Sequence, residues 1–310
     1  MTGRQILILL AAALWAWPAA AQRAAVPAAP AAPAAPVAQA PAKARTILFV
    51  GNSFTYAAYS PVRRYRAETV TDLNQNGIGG VPALFKRFTE QVGLNYAVSL
   101  ETSGGKGLDW HYDSRRAVLD RAWDVVILQG HSLLDRERPG DPALHVRYAG
   151  LLAAMFAARN PAVDVELSAT WARADMVYQP GSRWSGQPIE QMALDLRRGA
   201  DMARAAAPQI RGIIPIGEAW SRAIAARIAD PNPYDGIAFN QVDLWTFDHY
   251  HGSAYGYYLE ALLIFGRVTG LDPRRLGAKE LAADDLGFAP SVTEALQRVA
   301  AEQLANEAAR

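Results

Sequence analysis

The chain has 310 residues, 51% of them hydrophobic and 20% charged, with a formal net charge of +1 and no cysteine. That composition suits a globular domain with a sizeable apolar core, and it excludes disulfide staples, a catalytic thiolate and a lipid-bearing cysteine. Arg4, Arg23 and Lys43 are the charged residues of the first 44, so residues 45–310 carry 28 basic and 30 acidic side chains, which excludes a basic nucleic-acid footprint.

Taken from the N-terminus, Arg4 precedes an apolar run over 6–17, then Pro18 and the small residues Ala19, Ala20 and Ala21. This is the pattern of a secretory signal peptide over 1–21, which predicts an exported protein, periplasmic or extracellular after cleavage. The run falls short of the ~20 residues that span a bilayer, so no stable membrane insertion of the mature chain is expected. Residues 22–44 carry Ala-Pro repeats and read as a semi-rigid, polyproline-like linker. The remainder, 45–310, is expected to form one catalytic domain.

Within it, short apolar runs bounded by polar residues or glycine predict strands over 46–50, 96–100, 124–128, 163–169 and 212–216. Segments of helical period between them predict helices over 81–92, 142–159, 188–206 and 218–229, with Asp141 as the N-cap of the second and a last helix over 254–269. Strands alternating with helices imply a three-layer α/β/α sandwich around a central parallel sheet. The stretch 57–80 breaks the pattern at Asn74 to Gly80 and is too long for slack, which predicts a substrate wall or lid. Its Arg63, Arg64 and Arg66 form a solvated charged face or a clamp for anionic or sugar groups.

The first strand runs through Ile47-Leu48-Phe49-Val50 into Gly51-Asn52-Ser53-Phe54-Thr55, and so presents a serine at the carboxyl end of a parallel strand, where such sheets bind ligands. A serine hydroxyl is protonated near neutral pH and needs a general base to attack an acyl carbon. Asp248-His249-Tyr250-His251 supplies one: His251 as base, with Asp248 three residues upstream to fix its tautomer. His249 is the alternative base. A bare helix N-cap for Ser53 and surface decoration for Asp248 and His251 are the bland readings of the same residues.

The block Gly51-Asn52-Ser53-Phe54-Thr55 resembles the first block of the SGNH, or GDSL-like, hydrolases in the branch that reads GNSF, and Asp248-x-x-His251 resembles their last block. The resemblance spans roughly residues 46–265. It implies an SGNH-hydrolase/flavodoxin-like sandwich and a triad of Ser53, His251 and Asp248. It also implies an oxyanion hole from the Ser53 amide, a second-block glycine after Ser103 (Gly105, with Gly104 as the alternative) and a third-block side chain. Here the third block departs from the family: it reads Gln129-Gly130-His131-Ser132 in place of Gly-x-Asn-Asp, leaving Gln129 or His131 as the donor. Asn52, Tyr56, His111 and Trp110 are candidate substrate contacts, and Trp171 and Trp245 either stack on sugar rings or pack.

The function this implies is hydrolysis of short acyl, acetyl-like groups from carbohydrate or related esters, with no cofactor and a small-molecule or glycan ester as partner. A non-hydrolytic carbohydrate-binding or envelope protein on the same fold, or a glycan O-acyltransferase, are the alternatives. His249 and His251 with Asp248 lack a placed third ligand, so no metal site is expected. A Gly-x-Ser-x-Gly elbow and a phosphate-binding Gly-x-x-x-x-Gly-Lys loop are absent from the sequence. The sequence leaves the oligomeric state open.

Overall fold

The computed structural model describes residues 43–310, so the signal-peptide and linker expectations, apart from Lys43 and Ala44, lie outside the described residues. Six parallel strands form one sheet among them: β1 (Arg45–Gly51), β2 (Thr71–Asp72), β3 (Tyr96–Thr102), β4 (Val125–Leu128), β5 (Asp164–Ala169) and β6 (Ile210–Pro215), in the order β2-β3-β1-β4-β5-β6. Each of the five expected strands is present, and β2 is an additional short edge strand. Because side chains alternate along a strand, Ile47, Phe49, Val125 and Ile127 fill one face while Leu48, Val50, Val126 and Leu128 fill the other.

The first face is covered by α1 (Gly80–Gln91), α6 (Ile216–Ala225) and α7 (Ala254–Thr269). The second is covered by α2 (Leu108–Leu119), α3 (Ala143–Arg159) and the end of α5 (Ile189–Ala206), which contributes Ala200 and Ala203. The architecture is a three-layer α/β/α sandwich. Asp141 caps α3 from one position before its formal N-cap, accepting the Ala143 amide at 2.9 Å.

Four helices escape the sequence pattern: α2, the short α4 (Ala174–Tyr178), α8 (Leu281–Asp285) and α9 (Pro290–Ala308). The helix over 254–269 is therefore not the last. The physical reason is plain in α2 and α9, whose buried stripes contain His111 in one and Thr293, Gln297 and Gln303 in the other, so the apolar period is broken by polar residues. No helix of the described residues is long and apolar enough to cross a membrane.

The strand order fixes where a site can form. From β1 the chain moves outward to β2 and β3, then crosses to the opposite side for β4, β5 and β6. The loops leaving β3, β1 and β4 are therefore neighbours at the carboxyl edge, where the winding direction changes and ligands of open sheets bind.

Candidate functional site

β1 ends at Gly51, and the chain then winds through turns without forming an α-helix until Gly80. Gly51 has to lack a side chain: a Cβ there would lie 2.1 Å from Thr55 Oγ1 and 2.7 Å from Gln129 Oε1. The turn is closed by backbone bonds from Tyr56 N to Asn52 O (3.1 Å) and from Ala58 N to Ser53 O (2.9 Å). Ala57 and Tyr59 hold left-handed φ values of 58° and 59°, a conformation that costs energy without glycine and clusters at functional sites. Ser53 is buried and does not act as a helix N-cap.

The Asn52 side chain is spent on the loops around it. Its Nδ2 donates to Lys106 O (2.9 Å) and Gly130 O (3.0 Å), its Oδ1 accepts from Phe54 N (3.1 Å), and its backbone amide donates to Gln129 Oε1 (2.9 Å). Asn52 thus staples the loops after β3 and β4 to the serine turn instead of facing substrate. Gln129 is likewise turned inward: Oε1 also accepts from Thr55 Oγ1 (3.1 Å), and Nε2 donates to Gly130 O. The expectation that Gln129 serves the oxyanion is corrected by this inward orientation.

In the last block, Asp248 Oδ1 accepts from the amides of Tyr250 (3.0 Å) and His251 (2.9 Å), and Oδ2 meets His251 Nδ1 at 2.6 Å. Burial alone would raise the Asp248 pKa, but these hydrogen bonds outweigh it and hold the carboxyl below its usual range. With the carboxylate on Nδ1, the neutral imidazole carries its proton there and leaves Nε2 as the acceptor. That Nε2 is buried and has no hydrogen-bond partner among the described residues, Ser53 Oγ included. Burial and the Arg173 charge keep the His251 pKa below the ordinary histidine value, against the pull of Asp248.

The two ends of the chain meet at this point. The His251 ring packs edge-on to Phe54 with centroids 5.7 Å apart, and the hydroxyl of fully buried Tyr257 donates to Ser53 O at 3.4 Å. His249, the alternative base, packs against Tyr234 at 4.2 Å in a left-handed conformation, φ 54°, and does not share the Asp248 carboxylate.

The amides of Ser53 and Gly105 donate to no group among the described residues. Gly105 sits in a left-handed turn, φ 68°, in the exposed loop after β3. His131 borders the same cavity as Gly105, Gly107 and Trp110, with a volume of about 230 Å³. Its Nδ1 accepts from Leu133 N at 3.2 Å, which leaves the proton of the neutral ring on Nε2. Burial, then the charges of Arg173 and Arg136, lower the His131 pKa, so the ring is a neutral donor near pH 7.

The remaining expectations divide. Tyr56 and Trp110 are half-buried at cavity walls. His111 is fully buried beneath the β3 loop against Glu101, and Trp171 and Trp245 belong to the core, Trp171 stacked between Phe54 (4.0 Å) and Trp220 (4.6 Å). His111 is thereby corrected from a substrate contact to a buried structural group, and of the two readings left open for Trp171 and Trp245 the structure takes packing.

Arg173, which sequence reasoning passed over, lies 3.6 Å over the Tyr250 ring and pairs with Asp175 (2.6 Å). The signal was available: it follows the fourth predicted strand at the same sheet edge. Tyr59, edge-on to His251 at 5.1 Å, had no sequence signal. Among the described residues no group of three or more His, Asp or Glu is arranged to hold a metal ion.

No family model matches the chain, and no curated protein matches it in sequence. In fold it is similar to a DUF4886 family protein from Bacteroides uniformis, at 19% identity and TM-score 0.59, covering 84% of this chain and 95% of the other. It is also similar to a candidate GDSL-like lipase from Parabacteroides merdae, at 16% identity and TM-score 0.50, covering 73% of this chain and 95% of the other. At such identities the likeness concerns the fold, a parallel sheet between helical layers.

Proposed function

We propose that the chain is an exported serine ester hydrolase that removes short acyl groups from carbohydrate or related esters, with Ser53, His251 and Asp248 as its triad. One observation carries the reading: a buried imidazole, fixed by Asp248 on Nδ1, keeps an unpartnered Nε2 beside the turn that holds a buried serine. A buried ring nitrogen without a partner costs stability, and such unsatisfied groups collect at reactive sites. The absence of a Ser53–His251 hydrogen bond fits a resting enzyme, since catalytic hydrogen bonds tighten when substrate is bound.

In this reading Ser53 Oγ attacks the ester carbonyl as its proton passes to His251 Nε2, and Asp248 stabilises the imidazolium that forms. The oxyanion is held by the Ser53 and Gly105 amides, with His131 Nε2–H as the side-chain donor in place of the family's asparagine. His251 returns the proton to the leaving alcohol, then activates the water that releases the acid. The short acyl group and the carbohydrate rest on the resemblance of the sequence blocks and on the polar cavity at Tyr56, Ser103 and Gly104.

Turnover of p-nitrophenyl acetate by the chain, set against Ser53→Ala, tests the proposal. The variant is expected to lose activity on the order of 10⁶-fold in kcat and to lose covalent labelling by a fluorophosphonate. Equal rates in the two proteins, or no turnover and no labelling of either, would overturn it.

A further inference from the structure

Two cavities open along the loops after β1, β3 and β4, and their charges differ. The one beside His131 mixes Lys106 and Arg136 with Asp109, Asp135 and Glu137. The other, about 330 Å³, is bounded by Tyr56, Arg63, Arg64, Asn76, Ser103 and Gly104, and no acidic residue lines it. Its volume falls at the lower end of the range of small-ligand pockets, about 300–1,000 Å³.

Neither arginine is neutralised by a carboxylate among the described residues. Arg64 braces the loop by donating to Asn76 O (2.6 Å) and Gly77 O (2.7 Å), which leaves its charge uncompensated. Arg63 is exposed, makes no ion pair among the described residues, and lies 5.2 Å over the Tyr56 ring. Asp72, the carboxylate flanking Asn76, is turned into its own loop, where it accepts the amides of Asn74, Asn76 and Ile78. Glu101, beside Thr102 on β3, is committed to His111 and Arg115 on the other side.

The cavity is joined to the reacting centre through Tyr56. A Cβ at Gly104 would lie 2.8 Å from the Tyr56 hydroxyl, so that hydroxyl is seated on the backbone next to the Gly105 amide. Arg63, Tyr56 and Gly104 thus form a continuous wall leading from an uncompensated guanidinium to the edge of the candidate oxyanion hole.

We infer that this cavity is a subsite for an anionic group, carboxylate or sulfate, carried on the alcohol part of the ester substrate. The inference rests on the ester-hydrolase reading for its placement on the alcohol side, because an acetyl-like acyl group bears no charge. A guanidinium fork matches a planar carboxylate or a sulfate by paired hydrogen bonds, and the Tyr56 and Ser103 hydroxyls can donate to the same oxygens. The substrate class narrows to acylated acidic saccharides.

The test compares acetylated oligogalacturonate with the same material after methyl esterification, which removes the charge and keeps the sugar and the acetyl ester. The full chain is expected to favour the charged form roughly tenfold in kcat/KM, with the preference shrinking as salt rises. In Arg63→Gln the ratio of the two substrates should fall to near one, and Arg63→Lys should restore part of it. An acetylated, sulfated oligosaccharide run in parallel tells the two anions apart. Equal kcat/KM for the charged and neutral forms in the parent chain, or an unchanged ratio in Arg63→Gln, overturns the subsite.

If no ester is hydrolysed at all, the esterase reading has failed, and the subsite is then read by calorimetry with galacturonate and its methyl ester. Charge-dependent binding that Arg63→Gln abolishes sustains the subsite. Equal binding of the two sugars, or binding of neither, overturns it.

Discussion

Two carboxylate–imidazole pairs among the described residues share their inner geometry and differ in everything beyond it. Asp248 meets His251 Nδ1 at 2.6 Å and Glu101 meets His111 Nδ1 at 2.5 Å, and in both rings Nε2 is buried without a partner. Yet Glu101 and His111 are fully enclosed, and the Glu101 carboxylate is also held by Arg115 (3.0 Å) and Asn74 (3.2 Å). Burial would raise the Glu101 pKa, and its partners overcome that and lower it. The Asp248 side chain keeps 23% of its exposure, and the His251 ring borders Phe54 of the serine turn and the exposed ring of Tyr59. A carboxylate on an imidazole therefore marks a tautomer, not a task. In the proposed reading, access and the neighbour of the other nitrogen separate a pair that does chemistry from one that holds a loop.

The sharpest way to break this distinction is to weaken each pair in turn. Asp248→Asn should lower kcat about 10⁴-fold by favouring the wrong tautomer of His251, with little change in the urea midpoint. Glu101→Gln should do the opposite, costing about 3–5 kcal/mol in urea unfolding because it removes one partner of a buried charged cluster, with kcat of the folded fraction nearly intact. Similar kinetic losses in the two variants would erase the difference.

A third imidazole extends the comparison to a ring with no carboxylate. His145 on α3 is fully buried, neither nitrogen has a partner among the described residues, and burial lowers its pKa to about 4 from 6.5. Between those values the unfolded chain binds a proton that the native chain refuses, so stability falls as pH drops from about 6.5 towards 4. The loss is roughly 3 kcal/mol at the acid end. Urea unfolding at pH 7 and pH 4.5 should show this slope in the parent chain and a flatter one in His145→Leu.

The smallest expected effect concerns Arg173, whose charge lowers the His251 pKa. If the neutral imidazole is the base, as proposed, the acid limb of kcat/KM against pH should lie below the ordinary histidine value. It should move to higher pH in Arg173→Gln. A limb that stays in place would show that the guanidinium does not act on the base.

Much of this frame was legible in the sequence. The five main strands could be read because buried parallel strands are continuous apolar runs, and Ser53, Asp248 and His251 because their residue types sit at strand ends or at fixed local spacing. Helices α2 and α9 were not legible, since His111, Thr293 and Gln297 occupy positions where an apolar residue would have revealed the period. Gln129 was misjudged for a related reason. Its carboxamide satisfies Asn52 N and Thr55 Oγ1, groups 77 and 74 residues away in the chain, and no local pattern encodes such a bond.

The sequence by itself determined the alternation of strands and helices, the Gly51-Asn52-Ser53 turn and the Asp248-x-x-His251 pair, because each follows from backbone preference or from spacing within a single turn. Tertiary structure alone decided which imidazole borders the serine turn, which polar side chains are spent on backbone, and which arginines lack a carboxylate. Those outcomes depend on contacts such as that of Tyr257 with Ser53, 204 residues apart, and packing of the sheet's two faces sets them only once the whole chain has folded.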